Sequence, residues 1–97
     1  METKLQKKIR VKLEEPAMYK VVLRNDNYTT MEFVVMVLRV IFHKSEQEAQ
    51  RIMLEVHKRG RAVCGIYPYE IAETKVRQVE SVAVQHKYPL SCELEEA

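Results

Sequence analysis

Apolar and polar residues in the first third of this 97-residue chain follow first the pattern of a strand and then that of a helix. Tyr19 to Leu23 is a short apolar, partly β-branched segment that Lys20 interrupts, and it predicts a partly covered strand. Residues 24–27 (RNDN) predict a turn, because Asn and Asp side chains hydrogen-bond to nearby backbone. A long apolar segment begins after this turn.

Two capping sequences predict where the first two helices begin. Thr29 and Glu32 have capping-box spacing, so the first helix is expected to have Thr29 as its N-cap and to end near His43. This helix is apolar around most of its circumference, which predicts that something binds to one of its faces. Residues 45–48 (SEQE) repeat the capping spacing, and a second helix follows until Gly60 stops it. The apolar stripe of this second helix consists of Ala49, Ile52, Met53 and Val56.

The second half of the chain predicts two strands around one further helix. Arg61 to Tyr67 alternates weakly and is expected to be a central strand, which Pro68 ends. A third helix is expected from about residue 69 to residue 86, and residues 90–94 (LSCEL) are expected to form a last short strand. The order β-α-α-β-α-β predicts an α+β domain, with a three-stranded, largely antiparallel sheet and three helices on one face.

The first 16 residues differ in composition from the remainder. Basic residues concentrate there, at Lys4, Lys7, Lys8, Arg10 and Lys12. Leu5, Ile9 and Leu13 have helical spacing, but three apolar residues do not offset the entropy of ordering a helix without a surface to dock on. We expect residues 1–16 to be a flexible extension and residues 17–97 to form one core domain.

Composition bounds the function further. Hydrophobic residues make up 46% and charged residues 31% of the chain, and the net charge is +2, which by itself does not predict nucleic-acid binding. The two cysteines, Cys64 and Cys92, are expected to be buried, reduced thiols. The longest apolar run, residues 33–38, is far shorter than the ~18 residues of a membrane span, and the basic start lacks the apolar stretch of a signal peptide. We therefore expect a soluble, cytoplasmic protein.

Enzymatic and nucleic-acid functions are the alternatives. The chain has only two glycines, which are too few for a nucleotide-binding loop. It contains no HxxxH or CxxC sequence that would predict a metal site, so no cofactor is expected. Cys64 and His57 are seven residues apart and could form a nucleophilic pair, but a mid-strand cysteine is more often a core residue. A nucleic-acid-binding domain would use Arg24, Lys58, Arg59 and Arg61. These residues lack the interleaved aromatic side chains of a base-stacking platform.

A binding pocket for a terminal amine is the stronger hypothesis. If the second helix crosses the first, His57 faces the turn at residues 25–27. The side chains between them are Met31, Val34, Met53 and Val56. An ammonium has three donors and no acceptor, so the acceptor-rich turn suits it, and methionine adapts to a large apolar side chain. The pattern predicts capture of an amino-terminal Leu or Phe.

The segments that carry these residues resemble the ClpS adaptor family. They read YKVVLRNDNYTTMEFVVMVL, MLEVHKRGRAVCGIY, EIAETKV and HKYPLSCELE, and the resemblance extends from about Pro16 to the C-terminus. It implies an adaptor rather than an enzyme. Such an adaptor binds proteins that begin with Leu, Phe, Tyr or Trp and delivers them to the ClpA or ClpC unfoldase of the ClpP protease.

The resemblance also implies a role for each site residue. Asn25 and His57 match the family's amine-binding pair, and Asp26 and Asn27 match its acidic loop. The side-chain pocket would comprise Leu23, Thr29, Met31, Val34, Met53, Val56 and Leu90. Met31 matches a gatekeeper that narrows the pocket against β-branched first residues.

Two further implications concern the partner and one departure from the family pattern. Glu70 and Lys75 match residues that face the unfoldase's N-terminal domain, and we expect a monomer without nucleic-acid or membrane partners. The family usually has NDD in the loop, whereas this chain has Asn27 at the third position. A hydrogen bond to a charged group contributes about 1.5–3 kcal/mol, so losing the carboxylate predicts weaker binding. The alternative is a modulator of the unfoldase with weakened or altered N-terminal residue specificity.

Overall fold

The structure is a computed structural model that describes residues 1–7 and 17–97. From residue 17 onward its elements are β1 (Met18–Arg24), α1 (Met31–Val40), α2 (Glu46–Arg59), β2 (Arg61–Pro68), α3 (Tyr69–Gln85) and β3 (Ser91–Glu96). This order confirms the predicted β-α-α-β-α-β succession. Residues 4–7 form a helical turn, in which Thr3 and Gln6 bond to each other's backbone N–H. Ile9 and Leu13 of the predicted extension lie outside the described residues.

The three strands form an antiparallel sheet in the order β2-β1-β3. The prediction that residues 61–67 form the central strand is therefore wrong, because β1 is central and β2 lies at an edge. The cause is visible in the burial of the two strands. Val21, Val22 and Leu23 of β1 are all 0% exposed, whereas Val63 and Ile66 of β2 are partly open to solvent. The weak alternation of β2 marked a half-covered edge strand.

One buried cluster joins the helices to one face of this sheet. Val21 and Leu23 belong to this cluster, together with Val34, Val37 and Leu38 of α1 and further residues of α2, α3 and β3. Val22 alternates to the opposite face, and it is outside the cluster although it is fully buried. Arg24 and Glu93 form an ion pair at 2.6 Å between strands β1 and β3. The helical layer therefore covers the face that carries Val21 and Leu23, as predicted.

The predicted helix caps are right for α2 and shifted by one residue for α1. Ser45 caps α2 by accepting a hydrogen bond from the N–H of Glu48 at 3.2 Å, and Gly60 ends α2 at φ 85°. The N-cap of α1 is Thr30, whose hydroxyl accepts from the N–H of Phe33 at 3.1 Å. The Thr29 hydroxyl instead donates a hydrogen bond to the carboxylate of Asp26.

The C-terminus of α1 lies against α3. The helix ends at Val40, three residues before the predicted end, and Ile41 is its C-cap. The ammonium of Lys75 donates a hydrogen bond to the carbonyl of Ile41 at 2.6 Å, and its Nζ lies 5.9 Å from the centre of the Tyr67 ring. His43 adopts φ 55°, so the chain has already left the helical conformation there. Lys75 thus satisfies a carbonyl that the helix leaves unpaired.

Candidate functional site

The loop that joins β1 to α1 is organised around Asp26. Its Oδ1 accepts hydrogen bonds from the N–H groups of Tyr28 at 2.8 Å and Thr29 at 2.7 Å, and its Oδ2 accepts from the Thr29 hydroxyl at 2.7 Å. Burial alone would raise the pKa of Asp26, but these three bonds outweigh it and hold the pKa below its ordinary value of 3.8. The carboxylate is therefore ionised over the physiological range.

The same loop is tied to the end of α2. The N–H of Asn25 donates to the carbonyl of Gly60 at 2.9 Å, so the start of the loop lies beside the last turn of α2, which carries His57. Helices α1 and α2 pack on each other, and Val34, Met53 and Val56 from their facing sides are at most 7% exposed. The sequence places polar residues at the ends of these elements and apolar residues between them.

A cavity of about 350 Å³ lies where these elements meet. It is lined by Asn25, Asp26, Asn27, Thr29, Thr30, Met31, Val34, Met53, Val56 and His57. The buried residues Val34, Met53 and Val56 form its apolar base, while Met31 is 44% exposed and lies at its outer end. The exposed side chains of Asn25 and His57 belong to the polar part of the lining.

The structure brings together all but two of the residues predicted for this pocket. Leu23 and Leu90 do not line the cavity; they are 0% and 5% exposed and belong to the core cluster that also contains its base. Thr30 lines the cavity and was not predicted. Sequence offered two adjacent threonines; in the structure the Thr29 hydroxyl bonds to Asp26, and the Thr30 hydroxyl caps α1.

Glu70 and Lys75 lie apart from this cavity. Glu70 is exposed in the first turn of α3, and Lys75 is half-buried with its ammonium on the Ile41 carbonyl. Lys75 lines a second cavity, of about 500 Å³, together with residues of α3 and the end of α1. Val40 also lines that cavity and is 62% exposed, so α1 does present an apolar residue to solvent.

The two alternative functions find little support among the described residues. Cys64 is 1% exposed, and burial raises its pKa to about 12, so its thiol is not a nucleophile. Cys92 is also buried with a pKa of about 12, and both cysteines are free, as predicted. Arg24 of β1 and Arg61 of β2 are paired with Glu93 and Glu95, both on β3, which neutralises half of the candidate basic patch.

Neither a membrane span nor a metal site is found in the described part of the chain. None of its helices has the length and apolar character needed to cross a membrane. Within residues 1–7 and 17–97, no three His, Cys, Asp or Glu side chains are grouped so that they could hold a metal ion.

Comparison with known proteins agrees with this site and fold. The family model described as ATP-dependent Clp protease adaptor protein ClpS matches residues 14–93. The ATP-dependent Clp protease adapter protein ClpS of Rhodospirillum centenum is 57% identical over 88 residues, which cover 91% of this chain and 82% of that protein. The protein of the same name from Syntrophus aciditrophicus is 55% identical over 85 residues, 88% of this chain and 79% of its own length.

A solved structure shows the same fold with a ligand. Agrobacterium tumefaciens ClpS2 bound to L-phenylalaninamide superposes with a TM-score of 0.82 at 37% identity, covering 86% of this chain and 100% of that one. Fold, family model and relatives together define an adaptor of the Clp protease. The chain belongs to the ClpS family. The family expectation, the α+β fold and the expectation of an adaptor rather than an enzyme are thereby confirmed.

Proposed function

We propose that this adaptor binds the amino-terminal residue of proteins that begin with Leu, Phe, Tyr or Trp and delivers them to the ClpA or ClpC unfoldase. The observation that carries the proposal is the cavity between the 25–30 loop, α1 and α2, which combines an apolar base with a polar rim. The ligand of the A. tumefaciens neighbour, L-phenylalaninamide, has the two groups that such a cavity suits. They are a free α-amine and a large apolar side chain.

The rim supplies acceptors for the amine. Asn25 and Asn27 each offer a side-chain carbonyl oxygen, and His57 offers a ring nitrogen. Asp26 adds a negative charge to the same loop, since its pKa is held low. An amine that has been acetylated has lost its positive charge and gained bulk, so it leaves these acceptors mispaired.

The base accommodates the side chain. Val34, Met53 and Val56 offer branched and thioether groups, and Met31 borders the outer end, where the first carbons of an entering side chain would lie. Full burial of a Leu or Phe side chain contributes about 1.5–3 kcal/mol. Together with bonds to the amine and after the loss of rigid-body freedom, this corresponds to affinity of the micromolar order. Leu23 and Leu90 support the base from the core.

The partner surface is proposed on α3. Glu70 is exposed and can reach a partner. Lys75 and Val40 border the 500 Å³ cavity, so a docked unfoldase N-terminal domain would cover the exposed Val40. We propose that the adaptor acts as a cytoplasmic monomer without nucleic-acid or membrane partners. A second candidate, a modulator with altered residue specificity, is favoured by one observation, which is that the neutral Asn27 lines the cavity.

Fluorescence anisotropy with a labelled peptide that begins with Leu or Phe tests the proposal. Nα-acetylated and Glu-first peptides serve as ligand controls. We expect saturable binding to the free-amine peptides alone and its loss in His57→Ala. Lys58→Ala is the matched variant, because Lys58 is exposed in the same turn of α2 but does not line the cavity. Equal binding of free and acetylated peptides would remove the amine assignment.

A further inference from the structure

We propose that Asp26 is a positioning residue, whose carboxylate fixes the 25–30 loop so that Asn25, Asn27 and His57, rather than Asp26 itself, bond to the incoming ammonium. The inference rests on the proposed function and assigns a specific task to one residue of its site. It starts from the contacts of the carboxylate, which are directed into the loop.

Most of the acceptor capacity of Asp26 is already used. An ionised carboxylate has about four acceptor sites. Three are filled at 2.7–2.8 Å, two on Oδ1 by the N–H groups of Tyr28 and Thr29 and one on Oδ2 by the Thr29 hydroxyl. Asp26 is also half-buried, whereas Asn25, Asn27 and His57 are exposed. The groups with free acceptors and access to a ligand are therefore its neighbours.

These bonds determine the geometry of two parts of the cavity. They close a turn over residues 26–29, and Asn27 lies inside this turn, so its backbone cannot rotate without breaking them. They also hold Thr29 in the turn, and the next two residues are Thr30, which caps α1, and Met31, the first helical residue. Asp26 thus positions a rim residue and the side chain at the outer end of the cavity.

The opposite side of the loop is fixed independently. Asn25 donates its N–H to the carbonyl of Gly60, which anchors the loop to the end of α2 near His57. The carboxylate of Asp26 provides the second anchor, on the side of α1. With one anchor removed, Asn27 of the loop and His57 of α2 would no longer keep a constant separation.

Substitutions that separate charge from geometry test the proposal. In Asp26→Asn the amide oxygen can still accept from both N–H groups and the amide nitrogen can donate to the Thr29 oxygen, so the turn persists without the charge. In Asp26→Glu the charge persists, but the longer side chain cannot close the same turn. We expect Asp26→Asn to weaken binding of a Leu-first peptide about threefold or less, because a charge that does not contact the ammonium contributes little through the intervening solvent. We expect Asp26→Glu and Asp26→Ala to weaken it about tenfold or more.

A second readout reports on position rather than on affinity alone. Since the turn held by Asp26 ends two residues before Met31, its loss should displace Met31. This should change the ratio of affinities for Leu-first and Ile-first peptides, which differ in branching next to the backbone. The ratio should change in Asp26→Glu and Asp26→Ala and stay at the wild-type value in Asp26→Asn. Glu32→Gln is the control for charge, because it removes a carboxylate from the first turn of α1 without touching the loop.

The outcomes separate this inference from the function on which it rests. Wild-type protein that binds no free-amine peptide would overturn both. Wild-type binding with a greater loss in Asp26→Asn than in Asp26→Glu would show that the carboxylate charge contacts the ammonium, and the positioning role alone would be wrong. Thr29→Val gives an independent check if an Asp26 variant fails to fold. It removes only the hydroxyl bond and keeps both backbone bonds, so it should weaken binding of the Leu-first peptide, but less than Asp26→Ala does. Unchanged binding by Thr29→Val would count against the inference.

Discussion

At the residue scale, Asn27 is the position where the loop departs from the NDD sequence expected from the family resemblance. It lines the rim of the cavity with an amide, which accepts a hydrogen bond but carries no charge. Next to it, the carboxylate of Asp26 accepts three hydrogen bonds from groups within the loop. The rim is therefore less negative than a loop with two free carboxylates would be, and its attraction for an ammonium is correspondingly weaker.

Asn27→Asp is expected to tighten binding of Leu-first peptides about three- to tenfold, because a charge-assisted bond replaces a neutral one. Anisotropy titration at moderate salt measures the change. Gln47→Glu adds the same charge to the exposed first turn of α2, away from the cavity, and should leave the affinity unchanged. An unchanged or weaker affinity of Asn27→Asp would show that position 27 does not contact the amine.

The low pKa of Asp26 predicts how pH affects folding. Its unfolded value is near 3.8 and its folded value is lower, so the ionised carboxylate stabilises the folded state above about pH 3.8. This contribution is lost as the pH falls below that value through the folded pKa. Urea unfolding of wild type and Asp26→Asn should therefore differ more at about pH 6 than at about pH 2.5. The same difference at both pH values would contradict a lowered pKa.

Residue types in the site were predictable from the sequence, but their exact tasks were not. The polar turn and the residues Met31, Met53 and His57 line one cavity, as their spacing on two crossing helices implied. Thr29 and Thr30 are chemically equivalent in sequence, and a hydrogen bond from Thr29 to Asp26 separates their roles. Such a bond depends on loop geometry, which no periodicity encodes.

At the element scale, the end of α1 depends on a contact from α3. The ammonium of Lys75 lies on the Ile41 carbonyl, where the negative end of the helix dipole also favours a cation. Tyr67 lies nearby and reaches this place because Gly65 has no side chain; a Cβ at Gly65 would overlap its ring. Lys75 therefore has a structural task in addition to the partner contact proposed for it.

Lys75→Met should lower the free energy of unfolding by about 0.5–2 kcal/mol, since the methionine keeps the apolar stem but leaves the Ile41 carbonyl without the ammonium. Urea denaturation measures this change. Arg77→Met is the comparison, because Arg77 is an exposed residue of the same helix whose only described ion pair is with Glu73, and its loss should cost less than about 0.5 kcal/mol. Equal stability of Lys75→Met and wild type would show that the bond is not maintained in solution.

Strand order was the element-scale property that the sequence did not reveal. Ser45 and Gly60 predicted the two ends of α2 correctly, because a helix cap acts only on residues within a few positions along the chain. The place of a strand in a sheet depends on which partners cover it, and both β1 and β2 are short and apolar. The two strands differ in their pattern of burial. Residues 21–23 of β1 are buried in succession, so both faces are covered, whereas buried and more exposed residues alternate in β2.

At the scale of the whole molecule, the cavity and the proposed partner surface are built from different parts of one core. The cavity uses residues 25–57, and the proposed unfoldase contacts lie on α3. Helix α1 belongs to both, because Met31 lines the cavity at one end and Val40 lines the α3 side at the other. A peptide bound in the cavity as proposed would therefore leave the α3 surface accessible to a second partner.

The same separation predicts the effect of removing residues 1–16. Every residue that lines the cavity lies between Asn25 and His57, so the shortened protein should bind a Leu-first peptide within about twofold of the full chain. We nevertheless expect degradation of a Leu-first substrate by the unfoldase and its protease to slow, because we propose that the basic residues 1–16 take part in delivery. The matched control replaces residues 1–16 with a Gly/Ser sequence of equal length, which restores length without the basic residues. If the Gly/Ser sequence restores degradation, the effect depends on length; if degradation stays slow, it depends on the side chains. Unchanged degradation after truncation would show that the extension has no part in delivery.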